Sequence, residues 1–391
     1  MSISRSFDKV VLAAPVSCGY ARYSTQPAGW YVAQCLRELI AVSGIPKPGI
    51  EGLSVSSFTL APDPVASLSR SLGCEFTWLE SVPFGGASGV MALRRAARAV
   101  QAGDADVVAC IGADSNPRDA FENLIRQFST ASTDAVFPLG AGGPSMPFAH
   151  VTRQYMDATG TTSEDFAHLC VSQRLNAGQC AHALLREPIS VEQYLDSPLI
   201  ADPLRKLDLV MPCCGADGFL VMSEDRARRL RIPFARIRGS IERHNAYADD
   251  VAISRGGWAR DADRLYTQAG IAPEDVDVLA TYDDCPAIVF MQLEGLAFCA
   301  PGEAARFVRT HKLTFDGDFP LNTSGGQLGC GQAGAAGGFL GLVEVLRQLT
   351  GQAYGRQVAR ARCGVVGGYG MAVYDRCLAT SAVILEGSSS P

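Results

Sequence analysis

Long apolar runs are absent: nothing in the 391 residues approaches the roughly 18 to 20 consecutive apolar positions that cross a bilayer. The opening stretch MSISRSFDKVVLAAPVSCGY has no separate apolar segment ending in a small-residue cleavage site. Neither a membrane span nor a secretory leader is expected, and KVVLAAPV reads as a first buried strand. Basic excess is absent too. The formal net charge is −6, whereas a nucleic-acid surface needs clustered Lys and Arg, so no nucleic-acid partner is expected and any basic pocket must be local. None of the 13 cysteines forms a C-x-x-C pair, and the adjacent Cys213 and Cys214 suit neither a zinc knuckle nor an easy disulfide. No metal is therefore expected, and reduced, buried thiols in a cytoplasmic protein are. What the chain does have, 47% hydrophobic and 19% charged residues, is the composition of a folded protein with room for two or three domain-sized units.

The sequence repeats itself. GIPKPGIEGLSVSSFT from Gly44 and GIAPEDVDVLATYDD from Gly270 each follow a helical segment, turn on Gly-Ile and proline, and run into a β-type stretch. GGASGVMALRRAARAVQAGDADVVACIGAD from Gly85 has its counterpart in GAAGGFLGLVEVLRQLTGQAYGRQVARARCGVVGGYG from Gly334. Each is a glycine-rich turn, an amphipathic helix, a break and a strand. This repeated order predicts mixed α/β layers with buried parallel strands, in an N-terminal half over 1–115 and a C-terminal half over 246–391. Residues 116–245 read as an inserted loop domain. RQYMDATGTTSEDFAHLCVSQRLNA is predicted helical with a Thr or Ser cap, and REPISVEQYLDSPLIADPLRKLDLVMPCCGADG is extended and broken by prolines.

The stretch NTSGGQLGCGQAGAAGG, Asn322 to Gly338, is built mostly of glycine and alanine, and its conspicuous functional group is the amide of Gln332. Together with YDDCPAIVFMQLEGLAFCAPGEAARFV from Tyr282 and VPFGGASGVMALRRAARAVQAGDADVV from Val82, it resembles the thiolase superfamily. The similarity is to the branch of the sterol-carrier-protein or lipid-transfer-protein-like thiolases, and it extends over most of the chain. The resemblance implies a duplicated five-layer α-β-α-β-α architecture with an inserted loop domain. It also implies a CoA thioester as substrate, no covalently bound cofactor, a homodimer, and a small OB-fold, zinc-ribbon partner of the kind called DUF35. Matching the family motifs on the neighbouring glycines puts Gly86 at the acylated cysteine, Tyr282 at the Asn of Asn-Glu-Ala-Phe, Gln332 at the His of Gly-His-Pro and Gly364 at the second cysteine. The four thiolase groups are missing while the glycine turns remain.

Such turns still bring backbone N–H groups against an anionic oxygen, so Gly86 together with Gly364 and Val366 of GVVGGYG are candidates for a thioester oxyanion hole. An oxyanion hole without a nucleophile suits retro-aldol cleavage of a β-hydroxyacyl-CoA, which passes through a thioester enolate but no acyl-enzyme. Steroid side-chain aldolases of the superfamily are similar in the YDD and NTSGGQLG segments, and carry a tyrosine where this chain has Gln332. Tyr282 is the candidate for moving the proton, Gln332 for orienting, Asp283 and Asp284 for orienting or for a solvated turn, and Tyr369 for a second phenol. Gly325 and Gly326 are candidates for lining the substrate, and Arg205 and Lys206 for holding CoA phosphates. Two other classes of activity fit the same residues: a thiolase that uses Cys285, Cys330 or Cys363 from a shifted position, and a catalytically degenerate subunit or lipid carrier. His150, His168, His182 and His244 read as structural.

Overall fold

The computed structural model describes residues 6–120, 122, 138, 140, 143–250, 254–373 and 376–388. Its strands are β1 Val10–Ala21, β2 Gly52–Ser56, β3 Trp78–Ser81, β4 Val107–Asp114, β5 Leu199–Ala201, β6 Leu204–Arg205, β7 Cys214–Ser223, β8 Phe234–His244, β9 Val278–Ala280, β10 Cys363–Val373 and β11 Arg376–Gly387. The apolar runs VVACIGAD and GFLVM have no polar alternation because both faces of their strands are covered, and β4 and all but the last residue of β7 are buried.

β5 and β6 form a small hairpin, and the other strands form one nine-stranded sheet in the order β3-β2-β4-β7-β1-β8-β11-β10-β9. The repeat seen in the sequence is the repeat of this order: β2-β4-β7-β1 and β9-β10-β11-β8 are equivalent units. They meet where β1 and β8 pair antiparallel at Val11↔Arg236, Leu12↔Ala235 and Ala13↔Phe234. Parallel pairing, expected for the buried strands, occurs at the two ends (β3-β2-β4 and β9-β10), while the centre is antiparallel. Crossover helices precede β4 and β10 and let them run parallel to their predecessors, whereas β11 doubles back on β10 from Val373↔Arg376.

Helices Ser88–Ala102 and Gly337–Leu349, which follow the two glycine turns, lie between the sheet units. Leu93 and Leu342 share one core with Leu12, Val221, Ala280 and Val383. Helix Ala28–Ser43 covers the outer face of the first unit, and helix Trp258–Ala269 that of the second. The result is the five-layer α-β-α-β-α arrangement. The repeated helix Ala28–Ser43 and helix Trp258–Ala269 end alike, at the left-handed Gly44 and Gly270, before the Gly-Ile-proline turns.

The glycine content has a packing cause. A Cβ on Gly89 would lie 2.1 Å from the Gly338 carbonyl oxygen, and one on Gly338 would lie 2.6 Å from the Gly85 oxygen. The two glycine turns therefore meet backbone to backbone, which no residue with a side chain permits.

Within 116–245, helices Ser145–Thr159 and Ser163–Gln179 pack over helix Pro286–Gly295, and Thr162 caps the second as the sequence leads one to expect, its N–H donating to Asp165 at 2.8 Å. The same span also supplies β7 and β8, central strands of the sheet, so the texture that reads as inserted belongs to the part before Cys214. Among the described residues no helix is long and apolar enough to cross a membrane.

Candidate active site

Tyr282, Asp283, Asp284 and Cys285 link β9 to helix Pro286–Gly295, so their side chains leave the sheet edge in different directions. Gln292 fixes Tyr282 from both sides: its Oε1 accepts from the Tyr282 N–H at 3.1 Å and its Nε2 donates to the Tyr282 carbonyl at 2.7 Å. The Asn322 amide pins the preceding residue, accepting from the Thr281 N–H at 2.8 Å. With its backbone held, Tyr282 lays its ring against Gly86. A Cβ on Gly86 would stand 2.1 and 2.2 Å from two ring carbons and 2.3 Å from the Tyr369 carbonyl oxygen. The position matched to the thiolase nucleophile is thus filled by the phenol.

The phenol oxygen accepts a hydrogen bond from Gln332 Nε2 at 2.9 Å, and the same nitrogen donates to Asp284 Oδ1. Gln332 is held from behind by the segment before β7: its N–H donates to the Met211 carbonyl at 2.8 Å, and the Cys213 N–H donates to its carbonyl at 2.9 Å. Gln332 Nε2 thus bridges the phenol and the Asp284 carboxyl, completing a buried cluster of phenol, amide and carboxyl. Burial pushes the Asp284 carboxyl up to about 7 against the lowering pull of the Tyr282 hydroxyl. Burial, and then the Asp284 charge, push the phenol well above its ordinary range, so it is protonated at neutral pH. Within this cluster the carboxyl of Asp284, rather than the phenol, is the group shifted toward neutrality.

Asp283 points elsewhere. It accepts from the N–H groups of Gln327 at 2.9 Å and Leu328 at 3.1 Å and from Gln173 Nε2 at 2.8 Å, and burial raises its carboxyl to about 6. Its oxygens hold the start of helix Gly326–Cys330 to the middle segment. A Cβ on Gly326 would lie 2.1 Å from Asp283 Oδ2, and one on Gly325 would lie 2.5 Å from Ala177 Cβ. These two glycines admit close packing of the loop on Asp283 and on helix Ser163–Gln179.

β10 sorts its residues by alternation. Gly368 and Gly370 face the turn Gly85–Ala87, Val366 lines the narrow cleft beside Gly86, Ala280 and Gly338, and Gly364 packs on Val345 and Val278. Val366 is paired on both sides, with Ala280 and Val383, and Gly364 with Val278 and Leu385, which leaves the turn at Gly86 as the better source of backbone donors. Tyr369 faces the opposite way and stacks on Trp258 at 6.1 Å. The structure brings its carbonyl, not its phenol, to the site.

The three relocated thiols stand outside the phenol cluster. Cys285 is buried 3.7 Å from Thr152 Oγ1 and Cys363 begins β10, and burial raises both thiols to about 12. Cys330 donates to the Ser324 carbonyl at 3.2 Å. Arg205 sits in the β5–β6 hairpin with Nη1 donating to the Ser197 carbonyl at 2.8 Å, and Lys206 is exposed.

Sequence reading missed Asp114, at the end of β4. It accepts from Ser57 Oγ at 2.8 Å, the Phe58 N–H at 2.9 Å, the Thr59 N–H at 2.7 Å and the Ala335 N–H at 2.6 Å, tying the two halves together at the glycine loop. An acid closing a strand of apolar residues was the available signal.

Residues 239–385 match the family model described as thiolase C-terminal domain-like. A steroid side-chain-cleaving aldolase of Thermomonospora curvata is 32% identical over 330 residues, 80% of this chain and 83% of that protein. A 17-hydroxy-3-oxo-4-pregnene-20-carboxyl-CoA lyase of Mycobacterium tuberculosis is 29% identical over 338 residues, 82% and 86% of the two chains. The solved structure described as an Ltp2-ChsH2(DUF35) aldolase superposes with a TM-score of 0.82 at 27% identity, covering 97% of this chain and 98% of its own. With the duplicated architecture, the paired glycine turns and these relatives together, the chain belongs to the thiolase superfamily, in its sterol-carrier-protein-related branch, and is an enzyme of that superfamily.

Proposed function

We propose that this enzyme cleaves the Cα–Cβ bond of a β-hydroxyacyl-CoA by retro-aldol chemistry. The observation that carries the proposal is the Tyr282 ring seated on Gly86, with Gln332 and Asp284 around its hydroxyl. A phenol, an amide and a carboxyl that titrates near pH 7 can move a proton, and none of them is a thiol nucleophile. The names of the lyase and aldolase relatives support the same reading.

In the proposed step the substrate β-hydroxyl gives its proton to the Tyr282 oxygen as the phenol proton passes to Asp284. The β-oxygen closes to a carbonyl, the Cα–Cβ bond breaks, and its electron pair moves through Cα onto the thioester oxygen. The first N–H groups of the Gly85–Ala87 turn, which runs directly into helix Ser88–Ala102, are our candidates for stabilising that enolate. Return of a proton to Cα releases a shortened acyl-CoA and a ketone or aldehyde. Gln332, as a neutral amide, orients the phenol and carboxyl and takes no proton.

Turnover is expected to rise with pH through about 7, because Asp284 must be ionised to accept the proton. The stability effect has the opposite sign. A carboxyl raised in the folded state favours folding below its unfolded value of about 4, and that contribution is lost as pH rises through about 7. Asp284→Asn should remove the rising limb of the rate profile along with most of the activity. A rising limb that persists unchanged in Asp284→Asn sinks the assignment; the limb belongs to the coupled Asp283–Asp284–Tyr282 group, so its midpoint is macroscopic.

The substrate's CoA phosphates, on our reading, lie near Lys206 and Arg205, across the middle segment. Arg205 is already committed in part to Ser197, so Lys206→Glu should weaken CoA-ester binding more than Arg205→Glu. Unchanged affinity in both variants would place the phosphates elsewhere. A DUF35-type partner, supported by the partner named in the superposed aldolase structure, and a homodimer are further parts of the proposal. The chain's 13 free thiols suit the cytoplasm, where we place it.

The experiment that tests the function is an assay of a 17-hydroxy steroid side-chain CoA ester and a simpler β-hydroxyacyl-CoA, alongside thiolysis of a β-ketoacyl-CoA. It is run on the sedimenting species with and without a DUF35 protein. Carbonyl product in step with shortened acyl-CoA supports the proposal, and thiolysis alone refutes it.

A further inference from the structure

We propose that Cys180, His182 and Cys330 bind a thiophilic divalent cation such as Zn²⁺ beneath the glycine loop. Their ligating atoms all lie within 4.8 Å of one another, and Cys180 Sγ is 3.5 Å from His182 Nδ1. A tetrahedral zinc ion with bonds of about 2.0 to 2.3 Å sets its ligand atoms roughly 3.5 to 3.8 Å apart, so a contraction of about 1 Å or less, within reach of side-chain rotation, closes the site. Cys180 ends helix Ser163–Gln179, His182 follows in the next turn, and Cys330 ends helix Gly326–Cys330. No C-x-x-C spacing exists because the ligands come from two segments far apart in the chain, which is why the expectation of no metal, and of a merely structural His182, arises from the sequence.

The surroundings fit an ion. Both sulfurs are buried among Ala177, Ala183 and Leu340, and two thiolates with a neutral imidazole cancel the charge of a divalent cation there. The rings of Tyr20 and Tyr354 flank His182 at 5.4 and 5.2 Å and limit its rotation. The nearby carboxylates are already engaged, Asp217 by Ser17 and Tyr20, and Glu344 by Thr323 and Gln348. The Arg347 guanidinium lies 3.4 Å over the ring of Tyr354, the same ring that flanks His182. His182 is partly buried, between the two buried sulfurs and the surface.

The ion would tie the end of helix Ser163–Gln179 to the loop two residues before Gln332, fixing the amide that holds Tyr282. Titration of the reduced full-length chain with Co²⁺ tests the site. One equivalent is expected to give sulfur-to-cobalt charge-transfer absorption and tetrahedral ligand-field bands, lost on adding Zn²⁺, and to raise the melting temperature. Cys180→Ser and Cys330→Ser should each bind at least about tenfold more weakly, and Cys363→Ser should bind as the parent does. Circular dichroism checks that each variant folds. Should a cysteine variant not fold, His182→Asn, which keeps both thiols, must show the same weakening. Absence of charge-transfer absorption in the parent, or its persistence in the Cys180→Ser/Cys330→Ser double variant, overturns the proposal.

Discussion

Tyr282→Phe is expected to lower turnover of a β-hydroxyacyl-CoA by about 10² to 10⁴-fold while leaving CoA-ester binding nearly intact. The substitution deletes one oxygen, the one that accepts from the Gln332 amide it shares with Asp284, and leaves the ring that fills the space over Gly86. An interaction needed only in the transition state appears in kcat and not in affinity. Gln332→Ala should be milder, about fivefold, because a neutral amide hydrogen bond contributes on the order of 1 kcal/mol. Steady-state rates and CoA-ester affinity measured on the two variants decide the matter. A Tyr282→Phe enzyme within a few-fold of the parent would remove the phenol from the chemistry.

Gly86→Ala is expected to abolish measurable turnover and to destabilise the fold by about 1 to 3 kcal/mol, the usual cost of overpacking a closed site. The added carbon would fall 2.3 Å from the backbone oxygen of Tyr369, which β10 holds by pairing with β11, so relief must come from displacing the Tyr282 ring. That displacement breaks the contact to Gln332. The same geometry says that Gly86→Cys does not restore a thiolase: the thiol would have no room to stand where the phenol does. Chemical denaturation and both assays on the two variants test this. Gly86→Ala with parental turnover, or Gly86→Cys with new thiolysis, would show that the phenol does not occupy the nucleophile position during the reaction.

The duplication was legible because its signals are local. A glycine turn followed by a helix of period 3.6 can be recognised twice in a chain without knowing how the copies pack, and the five layers follow from burying each helix. The order of strands was less so, since β7 and β8 sit in a stretch whose earlier part is irregular. At the site, Tyr282 and Gln332 could be named from motif position. Their neighbours could not, because Asp283 and Asp284 are adjacent and diverge after β9, one to the backbone of helix Gly326–Cys330 and one to the Gln332 amide beside the phenol. For Tyr369 the signal was present: with Gly368 and Gly370 facing the glycine turn, strand alternation turns the tyrosine to Trp258. The roles of Gly325 and Gly326 depend on Ala177 and Asp283, contacts made across more than forty residues of chain that no local pattern encodes.

The most direct test is a single incubation of the enzyme, with a DUF35-type partner present, with a β-hydroxyacyl-CoA, followed by quantifying the carbonyl product and the shortened acyl-CoA and weighing the intact protein. The expected result is equal amounts of the two products with the protein mass unchanged throughout turnover, as a reaction through an enolate without an acyl-enzyme requires. An acyl adduct on a cysteine that forms and decays at the rate of turnover, with free CoA consumed, would contradict it.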